Sequence, residues 1–122
     1  MNTAVTVGTL SSPRMVYLGY VPVELQGLLV RALYLVVGKA VPPNPQNHWV
    51  LQLGLVEGET FTPLREVRLV AGVKTVGGRF PLPGALRVSE GVLLALKAVH
   101  RGMPAPIEDL SLVLETGILG QR

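Results

Sequence analysis

Glycine and proline break this chain at short intervals, and between the breaks apolar residues recur with a period of two. The breaks include Ser11-Ser12-Pro13, Pro42-Pro43-Asn44-Pro45, Glu57-Gly58-Glu59, Gly77-Gly78, Pro81-Leu82-Pro83-Gly84 and Arg101-Gly102-Met103-Pro104. The segment Trp49-Val50-Leu51-Gln52-Leu53-Gly54-Leu55-Val56 sets Trp49, Leu51, Leu53 and Leu55 on one face and a milder set on the other. Leu110, Leu112 and Leu114 alternate in the same way. Such alternation builds strands with one buried face, and helices have no use for it. Many short strands joined by Gly/Pro turns define an antiparallel sandwich or barrel. Glu57-Gly58-Glu59 reads as a tight hairpin, with Gly58 supplying a positive φ. Residues 41–47 read as a long, proline-rich inter-strand loop.

Two stretches are apolar on both faces. Residues 28–37 read as a central strand, one side on the core and the other against a partner or a loop. Residues 91–100 split into Leu94, Leu96 and Ala98 on one face and Leu93, Ala95, Lys97 and Val99 on the other. A helix competes for both stretches, because Leu and Ala favour it. Gly27 and the pair Val36-Val37 oppose it in the first, and Gly91 opposes it in the second, which leaves at most one short helix over residues 23–29.

The length of 122 residues fits a single domain. Residues 1–12 read as an edge strand or an extended arm, and residues 116–122 as a second candidate arm containing the apolar pair Ile118 and Leu119. With 48 % hydrophobic and 16 % charged residues the chain is not of disordered composition. The mean hydropathy of +0.44 is high for a chain of this size. No apolar run approaches the roughly 20 residues of a spanning helix, and Met1-Asn2-Thr3-Ala4 opens no secretory signal. No membrane association is therefore expected, and the excess hydropathy points to surface shared with other chains.

Chemistry-bearing residues are few. The absence of cysteine removes disulfides, thiolate metal sites and thiol nucleophiles. Asp109 is the single aspartate and reads as a turn residue before a strand. His48 and His100 lack ligand spacing and read as surface or capping residues; the four serines form no nucleophile elbow. Net charge is +3, but the arginines are scattered singly and aromatics make up 5 %, so direct nucleic-acid binding is not expected. No enzyme, cofactor or metal is expected. Trp49 reads as core, with a second reading as a ligand platform together with His48 and the loop before it. Tyr17, Tyr20 and Tyr34 show no stacking array.

From residue 27 to residue 115 the order of elements has a recognisable cadence. An apolar strand leads through a proline-rich loop to Trp49–Val56, the Glu57-Gly58-Glu59 hairpin, short strands, Ser89-Glu90-Gly91-Val92-Leu93-Leu94-Ala95-Leu96, and Gly102-Met103-Pro104 before Leu110-Ser111-Leu112-Val113-Leu114. It resembles the jelly-roll auxiliary (decoration) and fibre-type structural proteins of tailed bacteriophages. It departs from them in having Glu90-Gly91 where Gly-Asp is frequent, and Glu57-Gly58-Glu59 where Asn-Gly is. The resemblance implies an all-β, antiparallel sandwich of jelly-roll type with about eight strands. It also implies a non-enzymatic virion protein, assembled in the host cytoplasm, that works as a homo-oligomer, a trimer first, against a major capsid or other virion protein. Leu29, Arg31, Leu33, Leu35, Leu93, Val99, Ile118 and Leu119 are the expected interface residues. The arginine bias and lack of cysteine suit a thermostable protein. The rival function is a carbohydrate- or receptor-binding sandwich that uses His48 and Trp49.

Overall fold

The structure, a computed structural model, describes residues 2–21, 28–75, 78–89 and 91–118. It contains eight strands: β1 (Asn2–Leu10), β2 (Arg14–Tyr20), β3 (Leu28–Val36), β4 (His48–Glu57), β5 (Thr60–Arg68), β6 (Gly78–Val88), β7 (Leu93–Arg101) and β8 (Ile107–Ile118). No helix occurs among the described residues; residues 22–27, most of the segment in which one was expected, lie outside them.

The pairing follows one rule. β4 and β5 form the tight hairpin, β3 pairs with β6, β2 with β7, and β1 with β8, all antiparallel. The chain is thus one long hairpin doubled back at Gly58, which has φ +61, and rolled up so that β8 also meets β3 and β7 meets β4. Two four-stranded sheets result, in the orders β1-β8-β3-β6 and β2-β7-β4-β5. That is the jelly roll.

The core lies between the sheets. Trp49, Leu51 and Leu53 of β4, Leu94, Leu96 and Ala98 of β7, and Leu110, Leu112 and Leu114 of β8 are buried there, as their alternation requires. Leu55 packs against the same cluster.

The expected face of β3 is corrected. A register shift between Val30 and Ala32 makes Arg31 the extra residue of a β-bulge. One extra residue reverses the alternation beyond it. Leu29 and Arg31 therefore face outward, whereas Leu33 and Leu35 join Val30 in the core at 0 % exposure and are not available to a partner.

Of the two readings of residues 1–12, the edge strand is the one observed. β1 is an edge strand of its own sheet, paired with β8 from Asn2 opposite Glu115 to Leu10 opposite Ile107. Gly117 and Ile118 pair with Leu29 and Leu28 of β3. Leu119 and the side chain of Ile118 lie outside what is described. Asp109 is not a turn residue before β8 but lies inside it, at φ +50, beside a register irregularity against β1.

Candidate functional site

Three regions carry what this fold offers to other molecules. The first is the end of the sandwich where the β3–β4 and β7–β8 connections meet. Asn44 accepts the backbone N–H groups of Gln46 and Asn47 at 3.2 and 3.0 Å, which folds the proline-rich loop on itself. Asn47 in turn accepts the N–H of Met103 at 2.8 Å and ties one connection to the other. Between them lies a cavity of about 650 Å³, walled by Val41, Pro42, Pro104 and Pro106 and bordered by Lys39 and Glu108.

His48 and Trp49 both line this cavity, but neither is a platform. Trp49 is 2 % exposed, donates its indole N–H to the Ala105 carbonyl at 2.9 Å, and meets the His100 ring edge-on at 5.1 Å. A ring held on all sides has no open face on which a sugar can stack. His48 begins β4 and is buried at 5 % exposure, not placed on the surface. Its Nδ1 lies 3.2 Å from the Asn44 carbonyl, which only accepts, so Nδ1 carries the proton. Nε2 of His48 and Nδ1 of His100 are buried with no hydrogen-bond partner among the described residues.

The second region is the outer face of the β1-β8-β3-β6 sheet. Arg79 donates from Nη2 to Glu115 at 2.8 Å and from Nε to the Tyr34 hydroxyl at 3.2 Å, and its guanidinium lies over the Tyr34 ring. Tyr34 donates to the second Glu115 oxygen at 3.4 Å. The hydrogen bond from Arg79 holds the Glu115 carboxyl below the ordinary carboxylate value, and Arg79 is raised in return. Leu29 and Arg31 border this network. It is polar and internally satisfied.

The third region is the outer face of β2-β7-β4-β5, and it is different in kind. Register places Tyr20, Leu93, Val56 and Phe61 in one row across all four strands. Tyr17, Ala95, Gly54 and Pro63 form the next, followed by Met15, Lys97, Gln52 and Glu66, and then by Val99, Val50 and Arg68. Tyr17 and Tyr20 are 62 % and 70 % exposed. The expected interface residues Leu93 and Val99 both stand here, half-buried. Lys97 lies over the Phe61 ring at 6.0 Å, and Arg68 bonds Glu66 at 2.9 Å.

The structure therefore brings together tyrosines that sequence reading left apart. A spacing of three puts Tyr17 and Tyr20 on opposite faces of a regular strand. The register shift between Tyr17 and Gly19 restores them to one face. Gly19 is the only local trace of that bulge in the sequence.

Among the described residues no group of three or more His, Asp or Glu side chains is placed to hold a metal ion. No helix among them is long and apolar enough to cross a membrane.

No family model matches the chain, and no curated protein does. A crystal structure of dimeric latent PorU from Porphyromonas gingivalis is similar to it, with a TM-score of 0.46 and 12 % identity, over 97 % of this chain and 13 % of that one. At that TM-score the likeness carries no argument about function.

Proposed function

We propose that this chain is a non-enzymatic structural subunit that works by assembling, as a virion protein of the capsid-decoration kind does. The observation that carries this reading is the outer face of β2-β7-β4-β5, where Tyr17 and Tyr20 stand 62 % and 70 % exposed beside Leu93, Val56 and Phe61. A domain whose core is already complete gains nothing for its own folding from such a face. Covered by another chain, it contributes at about 25 cal/mol per Å² of apolar surface, a large term beside the 5–15 kcal/mol typical of a small domain. In a shell, that energy is available to hold neighbouring subunits together. The protein acts as a homo-oligomer against a shell protein, and it needs no cofactor to do so. Light scattering at micromolar concentration is expected to give a multiple of the 13.0 kDa chain mass; a monodisperse single chain overturns the reading.

A second reading rests on the cavity between the two proline-rich connections. Its volume of about 650 Å³ is that of a small-molecule site, and Thr9, Lys39 and Glu108 in its lining offer hydrogen-bonding groups to a compact, polar ligand such as a saccharide, with the prolines against its apolar face. Glycan-array binding that is lost in Lys39→Ala, with the melting temperature unchanged, supports it. An array on which the wild type binds nothing removes it.

A further inference from the structure

The outer face of β2-β7-β4-β5 is charged at its two ends with opposite signs. At one end the β4–β5 hairpin carries Glu57 and Glu59, both exposed. At the other stand Arg68, opposite Val50, and Arg101, opposite His48, again both exposed. Between them lie the two apolar rows and the mixed row of Met15, Lys97, Gln52 and Glu66. β4 runs the whole distance, about 30 Å at the usual rise of a strand.

We infer that this face pairs with the same face of a second copy of this chain, about a two-fold axis lying in the interface and running across the strands at the level of Leu53. The inference rests on the assembly reading above and names its contact surface. Two in-plane axes bring a sheet face onto itself. An axis along the strands sets each charged end against its own like, Arg68 and Arg101 near Arg68 and Arg101. An axis across the strands reverses strand direction and sets each acidic hairpin against the partner's arginine end. Like charges brought together oppose association and opposite ones favour it, so the charge pattern selects the second.

The apolar residues agree with that choice. With the axis at Leu53, midway along β4, Leu93 meets Val99 of the other copy and Tyr17 meets Met15, while Val50, already 3 % exposed, stays covered within its own chain. Phe61 falls opposite Arg68, an arrangement of cation over ring. The axis also brings Lys97, one residue from it on β7, near Lys97 of the other copy, a like-charge approach, with each ammonium over its own Phe61 ring. Every contact away from the axis appears twice, as an isologous interface requires. Four strands at about 4.8 Å spacing and 30 Å of length give about 570 Å² in projection, which side-chain relief carries toward the ~800 Å² per partner of a stable interface. Sheets stacked in this way cross at about 30°. The pairing closes at two copies, whereas the resemblance to decoration proteins implies three.

The test is a charge swap. Glu57→Lys with Glu59→Lys makes one variant, and Arg68→Glu with Arg101→Glu makes the other. Each is expected to weaken self-association about a hundredfold and to sediment as a single chain, with circular dichroism and Trp49 fluorescence like the wild type. Mixed in equal amounts they are expected to form a heterodimer, because every reversed pair is then attractive again. If both variants remain dimeric, or the mixture fails to associate, this face is not the contact, while the assembly reading stands on the wild-type mass. If the wild type is itself a single chain, both fall. Where Arg68→Glu disturbs β5 through Glu66, the single changes Arg101→Glu and Glu59→Lys carry the same swap.

Discussion

Glu115 shows how one side chain on a sheet surface ties three strands. It pairs with Arg79 of β6 and receives the Tyr34 hydroxyl of β3. Its carboxyl is held below the ordinary value of 4.5, chiefly by the hydrogen bond from Arg79. A carboxylate with a lowered folded pKa contributes stability above its unfolded value and loses that contribution as pH falls through the folded one. Glu115→Gln is therefore expected to melt below the wild type at neutral pH. The gap should close as pH drops under 4.5, and melting curves taken across that range check it. A constant gap at all pH values means that the carboxylate's charge contributes nothing.

Strand β3 carries the clearest lesson about elements. Its sequence, Leu28-Leu29-Val30-Arg31-Ala32-Leu33-Tyr34-Leu35-Val36, is apolar enough that alternation cannot say which side is inside. The bulge at Arg31 decides it. Leu33→Arg places a charge between the sheets, at a cost of at least about 4 kcal/mol, and is expected to abolish the folded state. Leu29→Arg points outward on the same strand and is expected to change stability by no more than about 1 kcal/mol. Chemical denaturation of the two variants checks the parity, and equal losses would put the bulge elsewhere. The same device on β2 turns Tyr17 and Tyr20 to one side, and with them the surface on which the proposed assembly depends.

For the molecule as a whole, association and stability are coupled. A chain that buries its outer sheet face against a copy of itself gains stability by mass action, so its melting temperature rises with protein concentration. Calorimetry over a hundredfold dilution is expected to show that rise, and a constant melting temperature speaks against self-association. The class of fold was legible in residue order because turn chemistry and period-two alternation are local: Gly58, the 49–55 alternation and the leucines of β8 each speak for themselves. The eight strands and the core place of Trp49 followed from the same signals. The parity of β3 and β2 was not legible, nor was the choice between edge strand and extended arm for residues 1–12, nor the burial of His48. Each depends on a neighbour distant in sequence: β8 and β6 against β3, β7 against β2, β8 against β1, and the folded loop at Asn44 against His48. A bulge is a property of two paired strands, and no single strand announces it. Composition and alternation thus settled that this chain is a β-sandwich with more apolar surface than one core consumes. Pairing across the sheets settled where that surface lies, because one inserted residue moves every later side chain to the other face.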